Sequence, residues 1–231
     1  MDAAGSDGKA RAGTRSVLVA GASGLVGRAL VARLCADPGV GVVHALVRRP
    51  LDLGHPKLRV HVVDFAKLPP LLAADEAYLA LGTTIAIAGS REAFRAVDFD
   101  ANLAVARAAV KAGVRRIGLV SAMGAAPHSR VFYSRTKGEL EQALAGLPLD
   151  ALVVARPALL LGDRNALGQP HRRGEHLGAT LDRWLRPLLP ARLRAIAAED
   201  VAAALASEVP RASAHTILES ARMQGASAAP S

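Results

Sequence analysis

The sequence predicts an α/β protein built on a doubly wound parallel sheet in a single domain. Three observations predict it. Short apolar runs alternate with longer amphipathic segments, so strands are joined by helices. A glycine-rich turn ends the first apolar run and opens the first amphipathic segment. The chain has 231 residues, 51% hydrophobic and 21% charged, which suits one α/β domain and its core.

Residues 16–20 read as the first strand and 25–36 as the first helix, stopped by Asp37-Pro38-Gly39. Residues 42–47, 58–63 and 77–81 read as strands two to four, the last ended by Gly82. A long helix is expected over 92–112. There Phe94, Val97, Ala101, Ala104, Val105 and Ala108 recur at three- and four-residue steps, and Gly113 closes it. Residues 116–120 read as strand five, 132–145 as a helix and 151–155 as strand six. Asp200 suits the cap of a helix reaching Ser207, and 215–218 read as a seventh strand. Helical crossovers make the sheet parallel. They predict a Rossmann-type order, 3-2-1-4-5-6, with the ligand at the switch beside strand one. Residues 1–15 read as a mobile leader, 16–223 as the domain and 224–231 as a disordered tail.

Composition narrows the function. Cys35 is the only cysteine, which excludes an intrachain disulfide and a cysteine metal cluster and fits a reducing compartment. The seven histidines are scattered, and no metal site is expected. No apolar run reaches the roughly 18 residues of a membrane span. The leader lacks the apolar core of a secretory signal, so the expected location is cytoplasmic. The net charge of +9 comes mostly from arginine, without a helix-turn-helix, a zinc pattern or stacking aromatics. A nucleic-acid partner is therefore not expected. The charge reads as a solvated surface that attracts an anionic cofactor. Homo-oligomer formation is left open.

The turn is Gly21-Ala22-Ser23-Gly24-Leu25-Val26-Gly27, spaced G-x-x-G-x-x-G. Gly21 permits the tight turn, Gly24 lets a pyrophosphate approach the backbone, and Gly27 allows close helix–strand contact. The helix N-terminus, with its unpaired N–H groups, suits phosphate. At the end of strand two, where an acid would mark NAD(H), stand Arg48 and Arg49. Two arginines suit a 2′-phosphate, so NADP(H) is favoured over NAD(H).

Tyr133 and Lys137 are the second signal. The chain has only two tyrosines and five lysines, and this pair lies four apart on an expected helix, hence on one face. A nearby cation favours the phenolate form of a phenol, which then exchanges a proton with a carbonyl or alcohol oxygen. The lysine also suits a cofactor ribose. Ser121 ends strand five on the cofactor side, where its hydroxyl suits a substrate oxygen, although a serine also simply opens a loop.

Together these motifs resemble the atypical short-chain dehydrogenase/reductase superfamily, and most of all its Tat-interacting oxidoreductase-like NAD(P)-binding group. The likeness covers about residues 16–223. Asp64-Phe65 matches the acid placed near adenine, and Leu81-Gly82-Thr83-Thr84 the loop bordering the cofactor. Phe132-Tyr133 with Lys137-Gly138-Glu139 matches the active-site helix, and Arg156-Pro157-Ala158 the turn after strand six, with Ala158 replacing glycine. Relatives often carry a second serine after strand five. Here Ala122 stands in its place, leaving Ser121, or Ser129 from the next loop, as the hydroxyl. The resemblance implies an NADP(H)-dependent oxidoreductase acting on a small carbonyl or alcohol, with Tyr133 as acid/base, Lys137 assisting it and Ser121 orienting substrate. The alternative is a nicotinamide-binding regulatory or interaction protein with little or no turnover. A small substrate cover is expected around 160–194, where seven arginines face three acids and Trp184 reads as packing.

Overall fold

The computed structural model describes residues 13–161 and 194–228. β1 (Arg15–Ala20) is buried from Val17 onward, as befits a strand covered on both faces. Its alternate side chains enter two cores. Val17 and Val19 meet Leu30, Leu34 and Val201 on one face; Leu18 and Ala20 meet Leu79, Val105 and Leu140 on the other. β2 (Val40–Val47), β3 (Leu58–Val62), β4 (Glu76–Leu79), β5 (Arg116–Val120), β6 (Ala151–Arg156) and β9 (His215–Glu219) complete a seven-stranded sheet. Its order is β3-β2-β1-β4-β5-β6-β9, and every pairing is parallel. The predicted doubly wound Rossmann order is therefore present, with the seventh strand beside β6. β7 (Leu160–Leu161) and β8 (Ile196–Ala197) form a separate two-stranded sheet that the sequence did not suggest.

α1 (Leu25–Ala36) and α6 (Ala198–Glu208) cover the first core; α4 (Asn102–Lys111) and α5 (Phe132–Ala145) cover the second. The single helix expected over 92–112 is corrected. α2 (Ile85–Ala88), capped by Thr84, precedes α3 (Arg91–Arg95), capped by Ser90, and a π-helical segment (Ala96–Ala101) joins α3 to α4. A π segment inserts a residue and so rotates the next turns of the helix about its axis. Asp98 and Asn102 thereby enter the interior, while Val97 and Ala104, expected in the core, line a cavity instead.

The ends also differ from expectation. Arg15 belongs to β1, not to a leader: its guanidinium bonds Glu76 and Asp37, and Tyr78 donates to Glu76. Burial and the Glu76 carboxylate push the Tyr78 phenol well above its usual value, so this cluster anchors the amino end of the sheet. Asp200 does not cap α6, whose cap is Ala197. It accepts instead from the Ser227 N–H at 3.0 Å and hydroxyl at 2.6 Å. Those bonds order residues 224–228, where a disordered tail was expected. Residues 1–12 of the leader, 229–231 of the tail, and 162–193 of the cover, Trp184 included, lie outside the described residues. Among the described residues no helix is long and apolar enough to cross a membrane, and no cluster of three potential metal ligands occurs.

Candidate functional site

The glycine turn is built for close approach. Gly21 has φ 88°, and a Cβ there would fall 2.5 Å from the Ala80 carbonyl carbon. A Cβ on Gly27 would meet the Gly21 oxygen at 2.0 Å, so the first turn of α1 sits directly against the strand exit. At Gly24 the situation is reversed. A Cβ would meet only the Gly21 oxygen, at 3.4 Å. Protein packing does not demand glycine at this position; the open space above it does suit a ligand. Gly24 is also the N-cap of α1, no side chain caps that terminus, and its first turn carries no acid. Its free N–H groups and positive dipole end suit a pyrophosphate.

Beside the turn, at the carboxyl ends of β1, β2 and β4, lies a cavity of about 470 Å³. Of the predicted cofactor residues, Gly21, Ser23, Gly24, Arg48, Phe65, Leu81 and Gly82 line it. Thr83, Thr84, Tyr133, Lys137, Pro157 and Asp64 do not; the Asp64 carboxylate accepts from the Ala66 N–H at 2.9 Å and shapes the turn that carries Phe65 inward. Arg49 is exposed and off the cavity, while Val26 and Gly27 are buried in the helix start. Leu25 lines a larger hollow of about 1130 Å³, along α1 and α6 with Arg28, Arg33 and Arg211. That hollow lacks the glycine turn and the strand ends where α/β sheets hold ligands, so the smaller cavity is the candidate site.

The loop after β4 joins this cavity to α5. The Thr83 N–H donates to Asp98 Oδ2 at 2.8 Å, and the Thr84 hydroxyl accepts from the Ile87 N–H. Asp98 Oδ1 lies 2.7 Å from Lys137 Nζ, both side chains being almost fully buried. Burial pulls the Lys137 ammonium down, but Asp98, Tyr133 and Glu141 outweigh it and hold the group above its usual value. Tyr133, one turn earlier on α5, rests its ring on Phe94 at 5.5 Å between centroids.

Ser121 is buried, and its hydroxyl donates to Glu141. Arg156 holds the same carboxylate through Nε at 3.1 Å and Nη2 at 2.6 Å. The one proton of Ser121 is thus spent on Glu141. Ser129 Oγ accepts from the Val131 N–H, and the Pro157 carbonyl accepts from the Met123 N–H at 2.9 Å, tying the turns after β5 and β6 together. Sequence reasoning missed Asp98, Asn102 and Glu141. Asp98 and Asn102 lie four apart beside the apolar stripe of the predicted helix, a signal that helical periodicity carries. Glu141 continues the Tyr133–Lys137 spacing by another four residues.

Comparison with known proteins bears on this site. The family model described as NAD(P)H-binding matches residues 21–209. A protein of Candida albicans named "Protein FMP52, mitochondrial" is 34% identical over 195 residues, covering 80% of this chain and 84% of its own. The protein of that name in Saccharomyces cerevisiae is 35% identical over 153 residues, covering 64% and 66%. An oxidoreductase of the short-chain dehydrogenase/reductase family from Burkholderia thailandensis superposes with a TM-score of 0.66 at 20% identity, covering 91% of this chain and 93% of its own. MoeE5, solved with UDP-glucose and NAD, gives 0.63 at 22% identity, covering 88% and 76%. These two likenesses are of fold. The relatives' names correct the expected cytoplasmic location, since both are called mitochondrial. A single cysteine fits a mitochondrial protein as well as a cytoplasmic one.

Proposed function

The chain belongs to the NAD(P)H-binding family, and from that premise we propose that it is an NADP(H)-dependent oxidoreductase acting on a small carbonyl or alcohol compound. The observation that carries this reading is the buried Lys137, 2.7 Å from Asp98 and on the same face of α5 as Tyr133, beside the loop that borders the cavity. The residues fit a dinucleotide: Gly24 leaves a cradle that a side chain would fill, and Arg48 stands at the cavity where β2 ends. A bound nicotinamide would supply or accept the hydride.

In reduction, the Tyr133 hydroxyl would give its proton to the carbonyl oxygen as the carbon receives hydride; in oxidation it would take that proton back. Lys137 would hold the ribose beside it. Pro157 and the Leu81–Thr84 loop would border the nicotinamide half, and Arg48 would bind the 2′-phosphate. Ile85, Ile87, Met123, Val131 and Leu159 stand exposed on the connections leaving β4, β5 and β6. That apolar rim suits a substrate with an apolar body.

Ser121 favours a second reading. Its proton is engaged by Glu141 and Ala122 offers none, so neither supplies a donor to a substrate carbonyl. A nicotinamide-binding regulatory protein with slow turnover accommodates that arrangement. NADPH oxidation across small aldehydes, ketones and quinones tests the first reading. Tyr133→Phe should retain NADPH affinity and lose about 10²- to 10⁴-fold in rate. A wild-type chain that turns over no faster than Tyr133→Phe would contradict it.

A further inference from the structure

We infer that Asp98 is the positioning residue of the site: from the π-helical segment it holds Lys137 and the Leu81–Thr84 loop in one fixed relation. The inference rests on the reading of Lys137 as the ribose-binding lysine. Two contacts and one close approach meet at one point. Asp98 Oδ2 accepts the Thr83 N–H at 2.8 Å, and Oδ1 lies 2.7 Å from Lys137 Nζ. A Cβ added to Gly82 would come within 3.5 Å of that same Oδ1 and 4.0 Å of Nζ, so the loop passes directly over the ion pair.

The backbone geometry serves this placement. In an uninterrupted α-helix, position 98 would sit about 100° from position 97 along one regular screw. The π segment breaks that screw over Ala96–Ala101 and divides its residues between two tasks. Ala96, Val97, Asp100 and Ala101 line the cavity, while Asp98 turns to the interior and does not. Asn102 locks the arrangement. Its side-chain amide donates to the Leu81 carbonyl at 3.1 Å and to the Asp98 carbonyl at 3.2 Å. One helix thus grips the loop by both an N–H and a C=O, and presents a carboxylate to the only lysine in α5. Asp98 acts on a ligand through Lys137 and the loop, without reaching the cavity itself.

The titratable groups around Lys137 are Asp98, Tyr133 and Glu141, and the carboxylates of Asp98 and Glu141 carry the charge there. Removing the Asp98 charge leaves Glu141 as the one carboxylate opposing burial, so Lys137 would lose its proton more readily as pH rises. The test is NADPH affinity by fluorescence titration at pH 7.5 and 9.5, with thermal melts, on Asp98→Asn, Lys137→Met and the double variant. Asp98→Asn should bind NADPH roughly tenfold more weakly at pH 7.5 and still more weakly at pH 9.5, where wild type is unchanged. The double variant leaves no buried charge unpaired, and the asparagine amide oxygen still accepts from the Thr83 N–H, so it should bind like Lys137→Met alone, there being no ammonium left to position. That comparison serves even where Asp98→Asn fails to fold. Wild-type affinity in folded Asp98→Asn at both pH values would overturn the inference, as would a double variant clearly weaker than Lys137→Met. Unchanged binding by Lys137→Met would overturn the ribose role and this inference together, whereas weak binding by Lys137→Met beside normal binding by Asp98→Asn would overturn this inference alone.

Discussion

Arg48 stands where β2 leaves the sheet and lines the cavity, while Arg49 beside it is exposed and does not line it. The sequence favours Arg48 over Arg49, and the cavity lining agrees: both are exposed in the bend after β2, and of the two Arg48 alone lines the cavity. A charge-assisted bond to phosphate is worth roughly 1.5–3 kcal/mol, or about ten- to a hundredfold in affinity. Arg48→Ala should therefore weaken NADPH by that factor and leave NADH nearly unchanged in calorimetric titration, and Arg49→Ala should do little. Equal losses for both cofactors would remove the 2′-phosphate role. Glu141 makes a different demand. It satisfies Ser121 and takes a two-point bond from Arg156. Glu141→Ala would strand a partly buried guanidinium, at a cost of about 3 kcal/mol in urea unfolding, with Glu141→Gln costing less. The pairing was not visible in the sequence, because an ion pair between α5 and the end of β6 has no local pattern.

At the level of elements, α5 is fixed by Gly138. A Cβ there would lie 2.2 Å from the Ala126 carbonyl carbon and 2.4 Å from the Pro127 nitrogen, both backbone. Neither neighbour is a flexible side-chain tip, so the helix or the loop after β5 must move. Gly138→Ala should cost about 1–3 kcal/mol in urea unfolding and weaken NADPH binding through the displaced Lys137. A stable variant with normal affinity would show that this contact does not set the helix position. Strand positions were legible because buried parallel strands are short apolar runs bounded by turns. The helix after β4 was legible only as a periodic stretch. Its π segment accompanies buried Asp98 and Asn102 bonding the loop, which a hydrophobic period treats as errors in the stripe.

Across the whole molecule, the order of the sheet follows from crossover handedness and the glycine turn, which is why it was readable. The extent of the described tail was not, because Ser227 meets Asp200 across 27 residues. Global stability should also carry a pH signature from the edge of the sheet. His44 Nδ1 and His61 Nε2 lie 3.0 Å apart across β2 and β3. Burial lowers both imidazoles, and His61 and Arg59 lower His44 further. The folded state thus prefers them neutral. Their contribution is present above the ordinary imidazole value of about 6.5 and is lost as pH falls below it, where the unfolded chain takes up protons first. The melting temperature should fall between pH 7 and 5, and His44→Gln should flatten part of that fall. Parallel curves for the two proteins would contradict this.

The central claim is that a nicotinamide dinucleotide lies over the glycine turn with its pyrophosphate on the start of α1. Gly24 isolates that claim, because its φ of −82° is ordinary for any L residue and its Cβ direction is nearly free of protein. The decisive measurement is NADPH titration of wild type and Gly24→Val, with circular dichroism confirming that both are folded. The account predicts one dinucleotide per chain for wild type and none detectable for the folded variant. Tight binding by Gly24→Val, or no binding of NADPH or NADH by wild type, would contradict it.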